Sequence, residues 1–239
     1  DIEDVLKKVL EKNLRVLREV HEVNKRVLDE IVKLLRELHR VNKRVLEIIL
    51  RLLEALRRGE RDREEVLREL ERVVKESKEV NKEVLKRLED IVRESLREIE
   101  RVLDETRKAI KEVEKVLRER RVEERVLEML RRYADRSRDF ADKDKKKNKE
   151  TLDELRKLSE DDKRINDRLV ETLRRIIAQG DTSDEDLKRI EDELRRTLEE
   201  HRKRLREVER ELEKKVEEHE RELRKYEEET KRLLREAER

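Results

Sequence analysis

The sequence predicts an all-α fold: three long straight helices forming two antiparallel helical hairpins that share a continuous central helix. Three observations lead there. The 239 residues include no proline and only two glycines, too few breakers to punctuate a sheet-containing fold. Charged residues make up 57% of the chain and hydrophobic ones 33%, which leaves long, coiled-coil-like amphipathic helices or a disordered polyampholyte. Apolar residues recur every 18 positions, as in His21-Glu-Val-Asn24-Lys-Arg-Val27-Leu28 and His39-Arg-Val-Asn42-Lys-Arg-Val45-Leu46. Eighteen residues are about five turns at 3.6 residues each, so the apolar stripe runs straight and the packing is untwisted.

The first helix is expected over about 1–58 and stops at Gly59, a residue suited to the position just past a helix end. Asp62 followed by Glu65 then reads as a capping-box-like start. The central helix is expected over 62–178, roughly 175 Å at about 1.5 Å per residue. Val66-Leu67 recurs as Val84-Leu85 and Val102-Leu103, and further on Val122, Phe140, Leu158 and Ile176 share the same spacing. At about 100° per residue the second stripe centres roughly 150° from the first, so the apolar face changes sides near Arg118–Glu124. Gly180 marks the second stop, and Thr182, Ser183 and three acids open a third helix over 183–239, with Leu187, Leu205 and Leu223 in its stripe. Folding the outer helices back gives a hairpin over 1–118 and another over 119–239, packed on nearly opposite faces of the central helix.

The outer helices differ in apolar width. The first carries 27 apolar residues in 58, spread over about half the wheel; the third carries 13 in 57 on a narrow stripe. One antiparallel neighbour covers far less than half a helix, so the first hairpin demands a further chain, completing a three- or four-helix cross-section. A partner is expected: copies of the chain or a complementary helical chain.

Polar residues interrupt the stripes at matched heights. With the turn near residue 60, Asn42 faces Ser77, His39 faces Asn81, Asn24 faces Ser95, and Asn13 approaches Thr106. In the second hairpin Asp162 faces His201, Asp144 faces His219, Asn166 faces Thr197, and Ser137 faces Tyr226. Such layers satisfy their own donors and acceptors, and they fix register and partner as buried polar residues do in coiled coils. A metal site would need three or four converging ligands, and a catalytic dyad a nucleophile and a pocket, so we expect no metal, no cofactor and no catalysis. Protonation of the histidines is a further way for these layers to act.

Net charge is only +2, against 69 basic and 67 acidic residues, which speaks against a nucleic-acid binder. The lysine-rich run Lys143–Lys149 is flanked by acids and reads as a solvated face. Without cysteine there is neither a disulfide framework nor a thiolate metal site. No apolar run of about 18 residues and no secretory leader pattern is seen, so we expect a soluble chain, cytoplasmic when made in bacteria, with no membrane or small-molecule partner.

The glycine turns, the 18-residue repeats, the matched His, Asn, Ser and Asp layers and the Glu/Lys/Arg surface resemble computationally designed helical bundles, in which hairpins carrying buried hydrogen-bond networks are joined by rigid helix fusion. The resemblance implies a synthetic structural protein: a self-assembling scaffold or oligomerisation block forming rings, filaments, cages or heteromers. A membrane-shaping, BAR-like helical dimer is the alternative, against which stand the balanced charge and the lack of an aromatic insertion segment.

Overall fold

The computed structural model describes residues 2–121, 123–178 and 183–238. They form four helices: α1 (Ile2–Arg57), α2 (Arg63–Glu119), α3 (Glu124–Ala178) and α4 (Asp184–Glu238), with no strand among the described residues. The all-α class stands, but the continuous central helix does not. It is two helices, parted between Glu119 and Glu124. The stop expected at Gly180 and the stripe residue Val122 lie outside the described residues.

The two turns that follow α1 and α2 explain why one was foreseen and the other missed. After α1, Gly59 N–H donates to Leu56 C=O at 3.2 Å and Glu60 N–H to Ala55 C=O at 3.1 Å, the paired bonds of a Schellman stop. Gly59 takes a left-handed φ of 68°, which costs a residue without Cβ little. After α2, Arg120 N–H reaches Val116 C=O and Arg121 N–H reaches Arg118 C=O, so Arg121 occupies the place that Gly59 holds. It does so at φ 53°, the one non-glycine with positive φ among the described residues. A stop built on arginine carries no breaker signal. The roughly 150° jump of the stripe is the trace of a chain reversal, not of one helix serving two faces.

Downstream helices start as helix-capping chemistry dictates. Val126 and Leu127 N–H groups both donate to Glu123 C=O at the head of α3. At α4, Ser183 Oγ accepts from Asp186 N–H at 3.3 Å while its C=O accepts from Leu187, and Asp184, Glu185 and Asp186 sit where the helix dipole favours anions.

The chain divides into two compact units, each drawing on all four helices, whereas the expected division at 118/119 followed chain order. Unit 1 comprises Asp1–Asp29, Ile91–Leu152 and Leu212–Arg239. Its core joins Leu6, Leu10, Leu17 and Val20 of α1 to Ile99, Leu103 and Leu117 of α2, Leu127, Leu130, Tyr133 and Phe140 of α3, and Leu223 and Tyr226 of α4. Here α2 and α3 run antiparallel, with Glu114 paired to Arg131 and Glu100 to Lys145. Unit 2 comprises Glu30–Asp90 and Asp153–Glu211. Ile49, Leu52 and Leu53 of α1 pack there with Val66, Leu70 and Val74 of α2, Leu173 of α3, and Leu187, Ile190 and Leu194 of α4. Its antiparallel α2–α3 pairs are Glu89–Arg156, Lys78–Asp167 and Glu71–Arg174.

In each unit, therefore, the wide apolar face of α1 is covered by the chain's own remaining helices. The outer helices do not lie on opposite faces of a shared partner; α1 and α4 touch directly, as Arg18–Glu227 shows in unit 1 and Arg36–Glu209 in unit 2. Among the described residues, Val80 and Val116 are the large hydrophobics left exposed. No helix of the described residues is long and apolar enough to cross a membrane.

Replacing Arg121 by glycine should remove the left-handed penalty and stabilise the chain by about 1 kcal/mol. Gly59→Ala should cost a similar amount, through the backbone alone, because a Cβ there would meet nothing within 4 Å. Urea midpoints that move in these opposite directions at constant slope would bear out the two turns; a destabilised R121G would refute the one after α2.

Candidate functional site: buried polar layers

Among the described residues, three layers of buried polar side chains interrupt the cores. Two are in unit 1. In the first, Asn13 of α1 donates through Nδ2 to Tyr133 Oη of α3 at 2.8 Å and Tyr226 Oη of α4 at 3.0 Å, with Ser137 Oγ at 3.4 Å. The rings of Tyr133 and Tyr226 lie 5.3 Å apart, and Thr230 next to them bonds back to Tyr226 C=O. Burial pushes the Tyr133 phenol up from its usual range, and that of Tyr226 further still, so both hydroxyls stay protonated.

The second layer of unit 1 is a chain of titratable groups. His21 Nδ1 of α1 meets His219 Nδ1 of α4 at 3.0 Å, with the rings stacked at 5.2 Å. His219 Nε2 lies 3.3 Å from Asp144 Oδ1 of α3, and that same oxygen accepts from Asn24 Nδ2 at 3.1 Å. Phe140 closes the layer, its ring 4.7 Å from that of His219. Burial pushes the Asp144 carboxyl up to about 6, against the opposing bond from Asn24, and pushes His219 down to about 3, helped by His21 and Lys147. His21 is likewise lowered, by burial first and Lys25 second.

Two nitrogens that face each other can share only one proton, which ties the tautomers together. With Asp144 ionised, His219 donates Nε2–H toward it and accepts from His21. With Asp144 protonated, the donors run the other way: carboxyl to His219 Nε2, His219 Nδ1–H to His21. One proton reverses the whole chain of bonds. Either way His21 Nε2 is left unpartnered, as it is in the structure.

Unit 2 holds the counterpart, 18 residues along every helix. Asp162 of α3 replaces Asp144, His201 of α4 replaces His219, and Asn42 of α1 replaces Asn24. His201 Nε2 lies 3.3 Å from Asp162 Oδ1, and its Nδ1 lies 3.4 Å from Asn42 Nδ2. Asn81 of α2, fully buried, donates to Asn42 Oδ1 at 2.8 Å and to Asp162 Oδ1 at 3.3 Å. Asn166 donates to the other carboxylate oxygen at 3.3 Å. In unit 1 the position equivalent to Asn81 is Ile99, so that layer lacks a donor from α2.

The residues expected to form layers are thus placed unevenly. Asp144 with His219 and Asp162 with His201 come together as their heights required. Within the first hairpin the pairing is Asn42 with Asn81, not with Ser77. Ser77 and Ser95 are buried, and Ser95 Oγ has no hydrogen-bond partner among the described residues. His39 is half-buried with Nδ1 unpartnered, lowered by burial and by Arg202, and does not reach Asn81. Thr106 and Thr197 turn back to carbonyls of their own helices, Val102 and Glu193. Sequence reasoning missed Tyr133, although a tyrosine within an apolar stripe must place its hydroxyl somewhere. It also missed every contact from α1 or α2 to α3 or α4, since it paired residues only within hairpins.

Among the described residues no group of three or more His, Cys, Asp or Glu side chains could hold a metal ion. An open groove of about 510 Å³ lies between α2 and α3 in unit 1, lined by Leu103, Thr106, Ile110, Ala134 and Ser137 among others. Chemically, the layers can hold register, discriminate partners and take up protons. The fold and these layers define an all-α bundle with buried polar networks. Comparison with known protein families and with characterised proteins returns no match to this chain.

Stability should depend on pH with a definite sign. A histidine lowered by folding binds its proton better unfolded, so its contribution is present above the unfolded value of about 6.5 and lost as pH falls below it, by about 1.4 kcal/mol per pH unit at most. His21, His39 and His219 all act this way. Asp144, raised to about 6, opposes them between pH 6 and its ordinary value near 3.8. We expect the melting temperature to fall between pH 7 and pH 4, with a shallower fall in His219→Gln. A melting temperature that is flat or rising toward pH 4 would contradict the signs.

Proposed function

We propose that this chain is a structural protein, a designed scaffold or assembly block without catalytic activity or cofactor, whose two hairpins recognise each other through the buried polar layers. One observation carries the reading. In both units the polar groups of α1 and α2 find partners on α3 and α4: Asn13 on Tyr133 and Tyr226, His21 on His219, Asn24 on Asp144, Asn42 on His201, and Asn81 on Asp162. A dry core held by leucine alone tolerates slips of register and exchange of partners; unpaired polar groups do not. The layers therefore act as a recognition code between hairpins. The partners it serves are copies of this chain or a complementary helical chain offering the same hairpin face.

Composition supports the same reading. A surface of Glu, Lys and Arg, two glycine turns, no Pro, Cys or Trp and an 18-residue repeat in each helix resemble design by geometric rule.

Prepared as separate polypeptides, the hairpins 1–121 and 122–239 should combine one to one on mixing, as read by native mass spectrometry. Changing Asn13, Asn24 and Asn42 together to leucine should keep the helical signal while admitting self-paired species and mixed stoichiometries. Hairpins that ignore each other, or a leucine variant that still pairs strictly one to one, would defeat the reading.

A further inference from the structure

The junction between α2 and α3 is the strained point among the described residues. Arg121 holds φ 53° in the position where Gly59 serves after α1. That conformation disfavours the turn about fivefold relative to glycine. Nothing in the local sequence demands a turn: Arg118-Glu119-Arg120-Arg121-Val122-Glu123-Glu124 contains no Gly, Pro, Asn, Asp or Ser. The bond from Arg120 N–H to Val116 C=O is already helical and would be kept if the helix ran on, while Arg121 N–H would exchange the carbonyl of Arg118 for that of Leu117. Opening this junction removes strain and costs no hydrogen bond.

What the open chain would lose is the seating of one hairpin on the other, and a second molecule can supply that. Asn13, His21, Asn24, Asn42 and Asn81 require Tyr133, Tyr226, His219, Asp144, His201 and Asp162 as partners, but not from the same chain. With Val80 and Val116 the large hydrophobics left exposed among the described residues, the closed chain offers little apolar surface for added contacts. The face between the hairpins is the surface with a built-in complement.

We propose that the partner of this face is a second copy of the chain, reached by exchange: the α2–α3 junction straightens into one helix, and the α1–α2 hairpin of one copy seats on the α3–α4 hairpin of another. The proposal rests on the hairpin-pairing reading above and names its partner. Because the apolar stripes on 66–117 and 122–176 lie roughly 150° apart along an unbroken helix, the two faces of an open chain point nearly opposite ways. Exchange then hands on from copy to copy instead of closing as a pair. A tethered hairpin presents itself at an effective concentration of order 1 mM, so the closed form prevails in dilute solution and exchange requires concentrated refolding.

The chain lacks cysteine, so Arg18→Cys with Glu227→Cys places two unique thiols at the ends of an α1–α4 ion pair of 2.6 Å. The full-length variant is refolded from urea at about 1 µM and at about 1 mM, then treated with a short bismaleimide. Exchange predicts links within single chains of 29.5 kDa at the low concentration. At the high concentration it predicts a covalent ladder in denaturing gels, beginning at twice that mass. Adding Arg121→Gly should raise the concentration at which the ladder begins about 25-fold, about fivefold from relief of the turn and about fivefold from glycine's penalty in the open helix. Native mass spectrometry of the unmodified chain gives the same readout free of the thiols. Links confined to single chains at every concentration, or a ladder indifferent to R121G, would overturn exchange. If separately prepared hairpins still pair in that case, the recognition reading survives and only the exchange is lost.

Discussion

A polar group sealed in a dry core must find a partner, and this constraint decides the arrangement of each unit. Asp162 shows it most fully. Its two oxygens meet His201 of α4, Asn81 of α2 and Asn166 of its own helix, while Asn42 of α1 joins through both Asn81 and His201. Sliding any one helix by a turn would strand several of these groups, at about 1–3 kcal/mol each. Leucine and valine provide the burial that makes the helices associate; they do not distinguish one register from the next. The layers do.

The two carboxylate layers repeat one design with an instructive difference. Where Asn81 supplies donors in unit 2, Ile99 supplies none in unit 1, and Asp144 is left with Asn24 and His219. Burial pushes the Asp144 carboxyl up, and the hydrogen bond from Asn24 opposes that push without offsetting it. The stacked His21 and His219 then make this layer responsive to a single proton, through the reversal of their shared bonds. Structural specificity and proton uptake come from the same few atoms.

Much of this was legible in the chain. The absence of proline and the 18-residue recurrence predicted long helices, and equal heights in the second hairpin paired Asp144 with His219 and Asp162 with His201. The turn after α2 was not, because its left-handed residue is Arg121 and turn signals are written in glycine, asparagine and proline. The excess apolar width of α1 was read as a demand for a further chain, because periodicity says nothing about whose helices answer it. Once the chain reverses at Arg121, α3 and α4 answer it from within. The tyrosine layer escaped for a related reason: Asn13 finds Tyr133 and Tyr226 across hairpins, a pairing that a search within each hairpin does not consider.

The central claim is the reversal between α2 and α3, and a distance across it is the most direct test. Glu100 and Lys145 form an ion pair of 3.7 Å in unit 1, although 45 residues separate them. Spin labels at these two positions, in dilute solution where the chain is closed, should show by pulsed dipolar spectroscopy a single separation below roughly 20 Å. An unbroken helix would hold them roughly 68 Å apart at about 1.5 Å per residue. The short distance would establish the folded-back chain, and the long one would contradict the arrangement of helices on which the layers, their pairing and their proton chemistry rest.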